Sequence, residues 1–259
     1  MRSYGLKFIL YALVISAVIA VFGVSAYAAD RNAALLRSGL EGYDSALVDS
    51  LSKELSSSGY TVQEVGLDNL CDKKFLSDGF DLLVVPDSGS LPAESMDVIR
   101  EYLKLGKDII ALNAPAWRDS MFHQDGKITP LYKQNIDKRS DLALEIITPP
   151  YKFFDCRDVG KLCVRKDQVI VPALDIPNAS LVRSVQPRPA GGGFDKGRTW
   201  RWIPLIEART AKGEWRGVPA AMMIHTDGPY KGGVWASFGI GDKEWYRSPS
   251  VIKCIGSIA

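Results

Sequence analysis

Between Ala33 and Leu112 short apolar runs alternate with segments of helical periodicity, and this alternation narrows the fold more than any other feature of the chain. Ala33–Ser38 (AALLRS) ends at Gly39. Asp44 then stands where it can cap a helix whose apolar positions Leu47, Val48, Leu51 and Leu55 recur at helical spacing, and Gly59 ends that helix. Thr61–Val65 (TVQEV) alternates as a strand does. Phe80–Val85 (FDLLVV) is almost continuously apolar, the pattern of a strand covered on both faces. After Pro86-Asp87-Ser88-Gly89 a helix is predicted to begin near Pro92 or Ala93, with Met96, Ile99, Tyr102 and Leu103 on one side and Gly106 at its end. Ile109–Leu112 is the next strand. The order β-α-β-α-β-α-β predicts an α/β fold: a doubly wound, mainly parallel sheet with right-handed crossovers and a ligand crevice at the strands' carboxyl ends. Gly39, Ser88 and Asn113 fall at that edge.

The pattern weakens at Trp117, and prolines 130, 149, 150, 172, 177, 187 and 189 punctuate the stretch beyond it. We read about 117–199 as a loop-rich insertion with short strands such as Gln168–Val171. Periodicity returns with Arg201–Ala208, a Lys212-Gly213 turn, Val218–Thr226, a Lys231-Gly232-Gly233 turn and Val234–Phe238, which predicts a C-terminal β-meander. Ser248–Ile258 is expected to be a helix docking on the sheet. It runs to Ala259 without a polar tail, leaving open that the chain leads a longer polypeptide.

The opening residues differ from the rest. Arg2 and Lys7 precede an apolar stretch from Phe8 to Val24, and Ala26-Tyr27-Ala28 has the small-x-small pattern of a cleavage site, so residues 1–28 read as a signal peptide and 29–259 as one exported domain, periplasmic or extracellular. The alternative is an uncleaved anchor, the only route to membrane attachment, since the run approaches the roughly 18 to 20 residues that span a bilayer. Export favours disulfides. Cys156 and Cys163 bracket RDVGKL as a local pair, which leaves Cys71 with Cys254; free buried thiols are the alternative. No C-x-x-C or H-E-x-x-H occurs and the only histidines are His123 and His225, so no metal or cofactor is expected. With 32 basic and 30 acidic residues and no basic run interleaved with aromatics, a nucleic-acid partner is not expected either.

Three stretches, FDLLVVPDSGSLP, YLKLGKDIIALNAPAW and MMIHTDGPYKGGVWASFGI, together resemble the class I glutamine amidotransferase-like superfamily, particularly ThuA-like domains and those found beside secreted glycoside hydrolases. The resemblance covers most of Ala33–Phe122 and Trp200–Ile255 and implies a flavodoxin-like fold. Active members use a cysteine on the strand-to-helix elbow, an oxyanion hole from a glycine-rich loop, and a histidine backed by a carboxylate after a late strand. Here the elbow is Asn113-Ala114-Pro115, without a nucleophile of that kind, and Asp87-Ser88-Gly89 replaces paired glycines. His225 and Asp227 stand where the histidine and carboxylate would be. A histidine hydrogen-bonded at a strand end is the plainer reading of His225.

Other patterns carry less. Gly192–Thr199 (GGFDKGRT) mimics a phosphate loop but lacks the strand before it and the helix after it. Ser88 could be drawn as a nucleophile with His225 and Asp227, yet G-x-S-x-G is absent and P-D-S-G-S is turn chemistry. Asn178-Ala179-Ser180 is a sequon of chance frequency. Trp117, Trp200, Trp202, Trp215, Trp235, Trp245, Tyr230 and Tyr246 crowd the second half and suit either packing or stacking on sugar rings. Ser88, Asn113, Trp117 and Arg118 are the candidate ligand-binding residues. The sequence thus reads as a catalytically degenerate domain that binds a carbohydrate or small polar ligand or docks a downstream catalytic module. Alternatives are a sugar or ester hydrolase using His225 and a crevice carboxylate, and a structural module without a deep polar crevice.

Overall fold

The computed structural model describes residues 31–40, 42–113, 116–118, 121–124, 127–130, 151–156, 158–165, 174, 182–187 and 200–259. Strand β1 (Arg31–Leu36) leads to helix α1 (Ser45–Ser57), β2 (Tyr60–Val65), α2 (Leu67–Cys71), β3 (Leu82–Val85), α3 (Ser95–Lys104) and β4 (Asp108–Leu112). Hairpin strands β5 (Met121–Gln124) and β6 (Lys127–Pro130) come next, then β7 (Tyr151–Cys156), β8 (Lys161–Val164) and β9 (Val182–Pro187). Long strands β10 (Trp200–Arg209) and β11 (Trp215–His225), then β12 (Val234–Phe238), α4 (Lys243–Tyr246) and α5 (Pro249–Ile258), complete the order.

One eight-stranded sheet runs β2-β1-β3-β4-β12-β11-β10-β8. β1, β3, β4 and β12 are mutually parallel, whereas β11, β10 and β8 are antiparallel to their neighbours. The α/β architecture, a parallel core continued by an antiparallel C-terminal meander, is the one expected. β12 joins the parallel core beside β4 because the short turns on either side of β11 return it in the same direction as β4.

Two apolar layers sandwich the sheet. Alternation along β4 sends Ile110 and Leu112 to the side covered by Leu47, Val48, Leu51 and Leu55 of α1 and Val251, Ile252 and Ile255 of α5. Ile109 faces the other side, with Leu67 and Leu70 of α2 and Met96, Ile99, Tyr102 and Leu103 of α3. Asp44 caps α1 as expected: its Oδ1 accepts the Leu47 N–H at 3.0 Å. α3 begins later than expected, at Ser95, because Pro92 bridges to Met121 and the Ala93 N–H donates to the Met121 carbonyl, holding that segment extended. The short helix α2 has no apolar periodicity long enough to read from sequence.

The insertion contributes more than loops. β8 forms an edge of the main sheet, and Val182 of β9 is fully buried and bridges to Ile240. The strand expected at Gln168–Val171, the phosphate-loop mimic, the sequon and the signal segment lie outside the described residues. Among the described residues no helix is long and apolar enough to cross a membrane.

The disulfide expectation is corrected. Cys71, Cys163 and Cys254 are free thiols. Cys71 ends α2 on one face of the sheet while Cys254 is packed in the α1–α5 layer on the other, so the sheet itself separates that pair. Burial raises the pKa of both thiols to about 12 and leaves them protonated. Cys163 pairs in the ladder with Glu207 and is unbridged; the side chain of Cys156 lies outside the described residues.

Candidate functional site

Because β1, β3, β4 and β12 run the same way, the segments that leave their carboxyl ends meet at one edge of the sheet. There a small cleft, open to solvent, is lined by Tyr43, Asp44 and Leu47 after β1, Pro86 and Asp87 after β3, Asn113 after β4, and Gly241, Lys243 and Tyr246 after β12. Its position is the one a doubly wound sheet dictates.

Asn113 is the strained point of the site. Its φ of 55° places it in the left-handed region, which asparagine tolerates better than other non-glycine residues and which turns the chain sharply out of β4. Its N–H donates to the Tyr246 hydroxyl at 3.1 Å, and its Nδ2 donates to Asp87 Oδ1 at 2.8 Å. The sharp turn expected after β4 is therefore present, and the side chain it carries is an amide bound to a carboxylate.

Ser88 and Trp117 hold the elbow from beneath. Ser88 is fully buried; its N–H and hydroxyl both donate to the Leu112 carbonyl, at 2.9 and 2.8 Å, and its own carbonyl accepts the Trp117 N–H at 2.8 Å. An oxyanion hole needs uncommitted N–H groups, and this one is engaged. Trp117, also fully buried and at φ 55°, donates its indole N–H to the Pro92 carbonyl and Ser95 Oγ at 3.0 and 3.1 Å. The expectation that Trp117 stands at the crevice mouth is corrected: its ring packs in the α2–α3 layer. The Arg118 guanidinium lies across Gly89, where a Cβ would meet Nη2 at 3.0 Å and the Asn113 carbonyl at 3.4 Å.

His225 is elsewhere. Leu112 pairs with Phe238, and Phe238 with Ala220, so Ala220 is the residue of β11 level with the elbow. From Ala220 to His225 the strand runs away from it, a separation of roughly 16 Å at ~3.3 Å per residue. His225 is 5% exposed, with its ring centroid 4.0 Å from that of Trp235, tilted against it, and 5.6 Å from that of Tyr230, edge-on. Its Nε2 has no hydrogen-bond partner, and burial lowers its pKa to about 4. Asp227 is exposed in the turn after β11 and makes no hydrogen bond to it. Ser88, Asn113 and His225 therefore do not converge, and the plainer reading of His225 as a hydrogen-bonded strand-end histidine is amended too: it is held by rings.

One ion pair and one hydrogen bond brace the rim. Arg247 Nε donates to Asp44 Oδ2 at 2.7 Å, and Lys243 Nζ donates to the Gly42 carbonyl at 2.5 Å. Burial would raise the Asp44 pKa, but the Arg247 and Leu47 hydrogen bonds outweigh it and hold the carboxylate below its usual range. Burial raises the Tyr43 phenol to about 12, and it donates to the Leu36 carbonyl at 3.0 Å. Sequence reasoning names Asn113 but misses Asp87, Lys243 and Tyr43 as wall residues. The available signal is positional: each lies shortly beyond the end of a parallel strand. Among the described residues no group of three or more His, Cys, Asp or Glu could hold a metal.

No protein-family model matches the chain, and no curated protein matches it. Among solved structures it is similar to a β-galactosidase from Rahnella sp. R3 (9% identity, TM-score 0.49, covering 87% of this chain and 31% of that one). It is also similar to a ThuA-like protein from Bacteroides uniformis (10% identity, TM-score 0.47, covering 90% and 92%) and to the N-terminal domain of mmIFT52 (14% identity, TM-score 0.44, covering 86% and 93%). The chain thus spans about a third of the β-galactosidase it matches. At these identities and scores the likeness carries no chemistry.

Proposed function

We propose that this chain is an exported, non-hydrolytic binding domain that takes a small polar ligand, in a carbohydrate-processing setting, into the cleft at the carboxyl edge of its sheet. One observation carries the reading: the elbow after β4 keeps its left-handed backbone while its side chain is an amide bound to Asp87. A strained conformation of this kind costs about 1–3 kcal/mol and persists where surrounding structure enforces it. Here it presents Asn113 to an open cleft. The carbohydrate part rests on the lining, which sets a carboxylate, an amide and a lysine beside tyrosine side chains. Export rests on the basic and apolar character of Arg2–Ala28.

The test pairs turnover with binding. The chain is incubated with glutamine, an aryl ester and aryl glycosides, and separately titrated with sugars by calorimetry, alongside Asn113→Ala. The expected result is no product above buffer and saturable binding that Asn113→Ala weakens. Turnover abolished by Asn113→Ala or His225→Ala would overturn the reading.

A further inference from the structure

We infer that the cleft selects a neutral, hydroxyl-rich ring and anchors it through two adjacent hydroxyls on Asp87 and Asn113, an inference that rests on the cleft being a ligand site. The hydrogen-bond inventory of the wall leads there. Donation from Asn113 Nδ2 to Asp87 Oδ1 orients the amide, because only its NH2 can face a carboxylate. That leaves Asn113 Oδ1 and the second Asp87 oxygen as acceptors on the cleft wall, with no partner among the described residues.

Donors on the same wall are mostly engaged. The Tyr246 hydroxyl donates to the Phe238 carbonyl and the Tyr43 hydroxyl to the Leu36 carbonyl. Lys243 makes one hydrogen bond, to the Gly42 carbonyl, so its ammonium has further N–H groups to offer. A fitting ligand must therefore donate to one side of the cleft and accept on the other. Hydroxyl groups do both.

Charge gives the same answer. Asp44 is matched by Arg247, and the remaining Asp87 and Lys243 have opposite signs, so the lining has no net charge to reward in a ligand. An ammonium placed on Asp87 would share the cleft with Lys243, and a carboxylate placed on Lys243 would share it with the acceptors of Asp87 and Asn113. Leu47, Pro86 and the tyrosine side chains supply apolar surface for the C–H face of a ring. The cleft is small, with room inside for little more than a water molecule, and open to solvent, so a ring lies across its mouth with its hydroxyls reaching in.

The experiment titrates the full chain by calorimetry with neutral probes (myo-inositol, galactose, lactose) and charged counterparts (glucosamine, glucuronate), and repeats the titrations with Asp87→Asn, Asn113→Asp and Lys243→Gln. Circular dichroism and thermal melts establish that each variant folds. At least one neutral probe is expected to bind one-to-one and at least tenfold tighter than glucosamine or glucuronate. Both Asp87→Asn and Asn113→Asp should weaken it at least tenfold, since each changes the acceptor pair without changing its size. Lactose tighter than galactose would identify the end of a glycan, and equal affinities a free ring; both agree with the inference. If only a charged probe binds, and Asp87→Asn or Lys243→Gln abolishes it, the ligand class is wrong while the binding site stands. If no probe of either class binds, the cleft is not a ligand site and the underlying reading falls with the inference. If Asp87→Asn and Asn113→Asp fold and bind as the parent does, the anchoring pair is refuted.

Discussion

The backbone N–H of Asn113 donates to the Tyr246 hydroxyl at 3.1 Å, and that hydroxyl donates onward to the Phe238 carbonyl at 3.2 Å. One phenol thus ties the strained elbow of β4 to the end of β12. Tyr246 is almost wholly buried. Tyr246→Phe leaves an N–H and a carbonyl without that partner, which costs roughly 1–3 kcal/mol. Denaturant unfolding should show the loss, and amide exchange at Asn113 should quicken by more than the global change accounts for.

A thiol introduced at the elbow should not create an amidotransferase. Asn113→Cys supplies the nucleophile, but His225 lies at the far end of β11 and the Ser88 N–H remains bound to Leu112. Ammonia release from glutamine is expected to stay at the buffer rate.

Trp117 acts on stability. Truncating a buried tryptophan to alanine typically costs about 3–5 kcal/mol. Trp117→Phe keeps much of the ring but leaves Pro92 and Ser95 without the indole N–H, a loss of about 1–3 kcal/mol. Chemical denaturation should rank the chains parent, Phe, Ala.

His225 should give stability an acid limb. Its folded pKa of about 4 lies below the ordinary 6.5, so above pH 6.5 the imidazole is neutral in both states and contributes no pH dependence. As pH falls from 6.5 toward 4 the unfolded chain takes up the proton first, and stability declines until the folded form can also be protonated. At ~1.4 kcal/mol per pKa unit the decline is about 3 kcal/mol at most. Thermal melts across this range should show it, and His225→Phe should flatten the His225 contribution.

The fold is legible in the sequence wherever its interactions are periodic. The strands, α1 with its Asp44 cap and the meander are written in alternation and helical spacing. The start of α3 is displaced by a few residues because the Pro92–Met121 bridge is a tertiary contact that leaves no local pattern. The site divides similarly. Asn113 is marked because the apolar run of β4 stops there, whereas Asp87 looks like turn chemistry and Lys243 like a surface residue. His225 misleads for a topological reason. A histidine closing a late strand reaches the crevice only if that strand is parallel to β4, and β11 runs the other way. Cys71 and Cys254 likewise can be paired on paper because nothing in their spacing reports that a sheet lies between them.

The most direct test of the central claim, that the carboxyl-edge cleft binds a ligand without transforming it, is amide chemical-shift mapping of the isotope-labelled chain during titration with a neutral sugar. The expected result is saturable shifts confined to Asp87, Asn113 and Gly241–Tyr246, with the sugar's own resonances unchanged in identity after prolonged incubation. Shifts centred on His225 and the Thr226–Gly233 turn, or the appearance of product resonances, would contradict it.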